Sequence, residues 1–292
     1  MLNSRSGNKR LDRRIILDRS IKIVFSFSVF IALGILTILL SSIIIQSIGW
    51  LDWQFLTSNL SINAQRAGIK GVITGTLLMM VILAPVTLIL GVATAIFLEE
   101  YVRKGWFHSI VKINISNLSA VPSVIFGLLG LTIFSRLLGL GSSILAGALT
   151  MSLLILPIVV VSAQEAIKAV PGFLREASYA MGATKWTTIR KVVLPSALPG
   201  ILTGSILGLS RAIGETAPLI VIGIPALILK MPQSIMDNFT ALPVQIYYWT
   251  LDSVLVREYA NLAAATIVVL LTMLLTLNVS AIILRSKFQR RY

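Results

Sequence analysis

The chain has 292 residues, 56% hydrophobic and only 12% charged, with a mean hydropathy of +0.91. A soluble domain carries about 25% charge, so a water-facing surface is excluded; the apolar runs are continuous, which excludes the alternating pattern of an outer-membrane barrel. The net charge of +14 lies between those runs, where it reports topology rather than nucleic-acid binding, and the lack of cysteine excludes disulfides, thiol catalysis and cysteine metal sites.

Residues 1–20 are polar and basic and read as a cytoplasmic tail, mobile or folded as an interfacial helix. Six apolar runs follow, at about 21–48, 71–98, 115–134, 143–163, 199–222 and 259–284. Each is long enough for about 20 residues of membrane-spanning helix. The expected fold is an all-α integral membrane protein of six spans, with a permease-like body at 21–284 and a basic cytoplasmic tail at 285–292. The first run is too long for a signal-peptide core and lacks a small-residue cleavage site, so it reads as a retained span. The third is the weakest, because Lys112, Asn114 and Asn117 flank or enter it and Pro122 interrupts it.

Two segments of the opposite face stand out. Residues 49–70 carry Trp50 and Trp53, which read as aromatic anchors at the membrane boundary. Residues 223–258 contain Pro225, Pro232, Pro243 and the run IYYW, suited either to docking a partner or to capping the bundle. His108 is the single histidine, and no carboxylate stands at ligand spacing beside it, so it does not read as a metal site.

The basic residues orient the drawing. With six spans, one side holds 19 Lys and Arg and the other 5, with Arg211 inside a span. Cytoplasmic loops carry the excess of positive charge, so both termini and the 165–195 segment are expected in the cytoplasm. Five spans would place the basic end RSKFQRRY outside.

Within that cytoplasmic segment, LREASYAMGATKWTTIRKVVLP at 174–195 reads as two short helices. Pro171 suits the first position of one. Leu174, Ala177 and Met181 fall on one face, and Gly182 ends the helix. Thr184 is a candidate N-cap for the second, whose apolar face is Trp186, Ile189 and Val193 and which Pro195 stops. A unit this short has no core of its own. It either packs on its bundle or offers apolar faces to a cytoplasmic partner.

The fifth run contains SRAIGETAPL at 210–219. A charge at the centre of a membrane helix costs about 2.5–3.5 kcal/mol on insertion scales, so Arg211 and Glu215 need a reason. On a helix, Gly200, Gly204, Gly208, Arg211, Glu215 and Pro218 share one stripe, with Leu202, Ile206, Leu209, Ile213 and Ile220 opposite, toward lipid. The stripe offers small residues for close packing, a charged pair and a proline kink. The pair is either a structural ion pair or the polar lining of a solute path. An arginine lining suits an oxyanion, which guanidinium binds in a planar fork. An intramembrane enzyme lacks a second acid, histidine or serine–base pair, and a passive channel leaves the 174–195 segment unexplained.

The 174–195 segment resembles the EAA loop of bacterial ABC importer permeases, E-A-A-x3-G-x9-I-x-L-P. Glu176 and Ala177 match, Ser178 replaces the second alanine, and Gly182 follows after three residues. Val192 replaces the isoleucine, and Leu194 and Pro195 match. The resemblance implies a type I importer transmembrane domain whose coupling helices, with Glu176, Ala177, Gly182, Ala183, Leu194 and Pro195, contact an ATP-binding subunit. The chain has no G-x-x-x-x-G-K-[ST], so it binds no cofactor of its own in this reading and the ATP is used by the partner. RAIGETAPL, FTALPVQIY at 239–247 and NLSAVPSVIFGLLGL at 117–131 resemble the A-type permease of phosphate-specific transport systems. That implies a bacterial plasma-membrane complex with a second, C-type permease, two ATP-binding subunits and an external phosphate-binding protein. It also implies phosphate passage along Arg211 and Glu215. An importer of sulfate, molybdate or another oxyanion is the alternative.

Overall fold

A computed structural model describes residues 4–103, 105–228 and 231–288. Parts of the expected tails, at 1–3 and 289–292, and the counted cations Lys104 and Lys230 lie outside the described residues. Among those described, the chain is helical without a named strand; one isolated bridge joins Ser143 and Asn238.

Twelve α-helices follow in order: α1 Ser4–Ser47, α2 Trp53–Thr57, α3 Lys70–Ile96, α4 Trp106–Leu118, α5 Ser123–Gly130 and α6 Ile144–Lys168. Then come α7 Gly172–Ala180, α8 Lys185–Thr188, α9 Leu194–Gly214, α10 Ala217–Ile222, α11 Leu242–Asp252 and α12 Glu258–Phe288. Three wide π turns extend them: Phe97–Tyr101 after α3, Leu131–Leu137 after α5, and Ile189–Val193 between α8 and α9. Five helical segments are long and apolar enough to cross a membrane, or six if the bent pair Trp106–Leu118 and Ser123–Leu137 counts as one.

The centre of the bundle is α6, packed between α3 and α9. Its buried side chains, with Met79 and Leu83 of α3 and Leu219 of α10, form the main apolar cluster. A second cluster joins α2, the start of α3, α11 and α12; a third gathers Ala95, Ala163, Ile167, Val170, Val193, Ala197 and Ile201 at the end beside α7. Helix α1 stands at the edge against α12. The apolar run of α1 shows exposed leucine, isoleucine and phenylalanine around its circumference, as a helix facing lipid on most sides does.

Three expectations need correction, and one interruption is found where it is expected. The basic start of the chain does not break before the first span, because α1 runs unbroken from Ser4 through the span. The third apolar run is interrupted at Pro122, as the sequence implies. Its two halves meet at 97°. Pro122 has no N–H and pushes Val121 away from the helical region, and Ser119, Ala120 and Val121 instead close tight turns onto Ser116, Asn117 and Leu118. The second short helix of the polar segment does not stop at Pro195. Lys185 to Gly214 is one apolar segment. The π turn ahead of Pro195 bonds Leu194 N–H to the Ile189 carbonyl, and Ser196 Oγ donates to Val192 O, so the missing proline donor is absorbed without ending the helix. Pro171, finally, is the N-cap of α7 rather than its first helical residue.

The 223–258 segment caps the bundle. Phe239, Thr240 and Ala241 are buried, and Leu242 N–H donates to Thr76 Oγ1 at 3.0 Å. Trp249 is buried against Phe55 and Tyr259, at ring separations of 6.2 and 6.5 Å. Trp50 packs on the same cluster, whereas Trp53 is largely exposed.

Candidate functional site

The fifth span is broken where its charges lie. Helix α9 ends at Gly214; Glu215 has ψ 128°, and α10 begins at Ala217 with Pro218 in its first turn. The physical cause is Pro218, which cannot donate to the Gly214 carbonyl four residues back and whose ring would crowd it. A fixed φ suits Pro218 to the first turn of a new helix instead. The expected kink is therefore a full interruption.

Arg211 stays in the last turn of α9, where a cation complements the helix dipole. Its Nε donates to Glu215 Oε1 at 3.1 Å, and the side chains are 52% and 18% exposed. Among the described residues one hydrogen bond holds the pair, and the other guanidinium N–H groups have no partner.

The glycine stripe faces α6 as its spacing implies. A Cβ on Gly200 would meet Ala166 Cβ at 2.8 Å, one on Gly204 would collide with Ser162, and one on Gly208 would touch Ile155 at 3.1 Å. Arg211 leaves this stripe for the open side. The opposite face does not look to lipid as expected. Ile213 is buried, Leu209 and Ile220 pack on the central cluster, and Ile206 lines a crevice with Leu77 and Met80 of α3 and Leu277 of α12. In that crevice Ser210 Oγ hydrogen-bonds Asn278 Oδ1. Helices α3 and α12 cover what the helical wheel leaves bare.

The polar segment folds at the other end. Gly182 has φ +78°, the left-handed conformation that glycine adopts without strain. Thr184 caps α8, accepting from Thr187 N–H at 3.3 Å, and Ser178 and Thr188 hydroxyls join the two helices at 2.9 Å. Glu176, Ala177 and Gly182 are exposed around this turn, with Ala183 half-buried beside them. Leu194 and Pro195 are not at the turn. They begin α9, and Leu194 packs on the third cluster.

The apolar residues divide. Leu174, Ile189 and Val193 turn into their own bundle, while Phe173, Tyr179, Met181 and Trp186 stay exposed. The first three pack on the bundle, and the other four leave apolar surface uncovered in this chain.

A set of residues that sequence reasoning missed lies beneath it. Glu99 and Glu100, in the π turn after α3, are the acids that hold α4, α6 and α7 together. Gln164 Nε2 donates to Glu99 Oε1 at 2.9 Å, and Lys168 Nζ stands 3.3 Å and His108 Nε2 3.7 Å from the same oxygen. Arg175 donates to Glu100 Oε1 from Nε at 3.2 Å and Nη2 at 2.9 Å, and to the Val170 and Ile167 carbonyls. The one available signal was a pair of acids at the end of an apolar run, which nothing in the sequence joins to partners 65 to 75 residues away.

Comparison with known proteins fits this architecture. Residues 87–292 match the family described as binding-protein-dependent transport system inner membrane component. The chain is 36% identical over 207 residues to the probable ABC transporter permease protein YqgI of Bacillus subtilis, covering 71% of this chain and 70% of that one. It is 31% identical over 225 residues to the phosphate transport system permease protein PstA of Yersinia pestis, covering 77% and 75%. Its fold is similar to a solved bacterial ABC transporter involved in import of the acidic polysaccharide alginate, with TM-score 0.61, 15% identity and coverage of 96% and 100%. A helical bundle centred on α6, with a broken charged helix beside it and a helix–glycine–helix segment at one end, fits this family: the chain belongs to the binding-protein-dependent transport system inner membrane components, the permeases of ABC importers.

Proposed function

We propose that this chain is one permease half of an ATP-driven importer of inorganic phosphate. The observation that carries the reading is Arg211, whose guanidinium is half exposed beside an interrupted helix and spends one hydrogen bond on Glu215. Non-helical backbone at membrane depth is tolerated only inside protein or along a water-filled cavity. A cation there has free donors for a passing oxyanion. Glu215 competes for the same guanidinium, so an anion is held briefly and released. Likeness to phosphate transport permeases supports phosphate as that anion.

The complex contains a second, C-type permease across the face that exposes Arg211, two ATP-binding subunits on the exposed turn of Glu176, Ala177, Gly182 and Ala183, and an external phosphate-binding protein. Leu194 and Pro195 carry that turn's motion into α9, which ends at Arg211. The chain lies in a bacterial plasma membrane with both termini cytoplasmic, as the excess of Lys and Arg on that side favours. It hydrolyses nothing and binds no cofactor; the partner subunits consume the ATP.

The test is radiolabelled phosphate uptake at low external concentration, in cells lacking the chain, cells with it restored and cells carrying Arg211→Gln, with sulfate or molybdate in excess. Uptake that needs the chain and Arg211 and ignores the competitors is expected. Uptake suppressed by a competitor moves the assignment to another oxyanion; uptake unaffected by Arg211→Gln returns the pair to a structural role.

A further inference from the structure

We infer that Glu99, Glu100 and Tyr101 are positioning residues that receive the movement of the coupling segment and pass it to α3 and α6. The inference rests on the reading above, in which an ATP-binding subunit drives α7 and α8. Three consecutive side chains of one π turn each hold a different element. Glu99 accepts from Gln164 and faces Lys168, both on α6. Glu100 takes two hydrogen bonds from Arg175 of α7. The Tyr101 ring lies under Lys185 Nζ of α8, 4.8 Å from its centroid. Both short helices are thereby fastened to the same turn, through separate arms.

The fastening matters because α7 otherwise rests on the Ser178–Thr188 hydroxyl contact and one apolar side chain. It is nine residues long and buries none of them, and a helix of that length is not stable by itself in water. Leu174 gives it one half-buried apolar contact. Arg175 supplies four hydrogen bonds, two to Glu100 and two to the carbonyls that end α6 and the loop beyond it. A push on the exposed turn at Gly182 therefore reaches α3 through Arg175–Glu100 and Lys185–Tyr101. From there it runs along 27 residues of helix to the far end of the bundle, about 40 Å away at 1.5 Å per residue. Consecutive side chains of this turn, Phe97–Tyr101, point in different directions and meet three partners.

The experiment uses the whole importer in proteoliposomes and reads phosphate taken up per ATP hydrolysed, with co-purification of the ATP-binding subunit as the control for assembly. Glu100→Gln and Arg175→Gln are each expected to lower that ratio about tenfold, the worth of one charge-assisted contact. The double variant should fall no further than the worse single, because both remove one link. An unchanged ratio in both singles, or effects that multiply in the double, overturns the inference. If the buried variants do not assemble, Tyr101→Ala and Lys185→Gln test the exposed arm. They are expected to lower the ratio about threefold, and no change overturns the inference. A wild-type complex that hydrolyses ATP but moves no phosphate overturns the substrate reading alone. Stimulation of hydrolysis by the external binding protein then reports the link: loss of stimulation in Arg175→Gln sustains it, and full stimulation overturns it.

Discussion

Two arginine–glutamate pairs in this molecule have the same chemistry and opposite surroundings. Arg211–Glu215 is local, four residues apart, joined by one hydrogen bond, and its arginine is 52% exposed. Arg175–Glu100 spans 75 residues of chain, uses two hydrogen bonds, and is only 21% and 9% exposed. A solvent-exposed ion pair is typically worth about 0.2–1 kcal/mol. Breaking a buried pair of the second kind costs about 3–5 kcal/mol, because the surviving charge is left without a partner. In the proposed function the first would open at each passage of an anion. In the inferred coupling route the second would stay shut and carry force. Burial, not residue type, separates a gate-like contact from a strut-like one.

That contrast can be broken in several places. The largest effect is expected from Arg211→Gln, which should lower phosphate uptake about 10–100-fold, the worth of one charge-assisted hydrogen bond to the anion. Membrane insertion and co-purification of the ATP-binding subunit should be unaffected; loss of insertion would make the open pair structural after all.

Gly182→Val comes next. Nothing stands within 4 Å of a Cβ there, so the penalty is backbone strain at φ +78° rather than a clash. The strain costs about 1–3 kcal/mol. Reduced association with the ATP-binding subunit, measured by co-purification, should accompany a loss of uptake. Full association and uptake would count against a fixed turn at this position.

Gly204→Val should act through packing alone. Its side chain would collide with Ser162 of α6 and cost about 1–3 kcal/mol of overpacking. The expected outcome is a lower melting temperature of the purified complex, with the phosphate-to-ATP ratio preserved in what remains folded. A changed ratio at unchanged melting temperature would extend the coupling route into the glycine stripe.

The smallest effect concerns the loop before α11. Gln233 and Ser234 N–H groups donate to Asp237 Oδ2 at 2.8 and 2.9 Å, and hold its carboxyl below the usual aspartate range. A depressed folded-state value means the carboxylate favours the ordered loop at neutral pH, and that this help is lost as pH falls through the lowered value. A spin label at Gln233 should therefore stay immobile under mildly acid conditions and loosen only in strong acid, and Asp237→Ala should loosen it at neutral pH. A label that loosens at the ordinary aspartate range would remove the backbone contacts from the account.

Much of the architecture was legible before any fold was known. Apolar run length and the low charge content require membrane helices, because backbone groups in lipid must satisfy one another. The glycine turn at Gly182, the cap at Thr184 and the packing stripe at Gly200, Gly204 and Gly208 follow from local conformation and a period of 3.6. The Arg211–Glu215 contact follows from a spacing of four.

Other features had no local signature. Pro122, Pro195 and Pro218 each remove one donor, yet the first bends a span by 97°, the second is absorbed by a π turn, and the third divides a span in two. The outcome depends on which neighbours satisfy the freed carbonyls and fill the space, and those neighbours come from distant parts of the chain. The same holds for Glu99 and Glu100. As residues they are two acids at the end of an apolar run. They become the joint between α3, α6 and α7 only when folding brings Gln164, Lys168 and Arg175 within hydrogen-bond reach and removes the water that would otherwise screen them. Periodicity and propensity act within a few turns of helix and can be read along the chain; burial and long-range pairing are properties of the packed bundle, and they distinguish the half-exposed Arg211 from the largely buried Arg175.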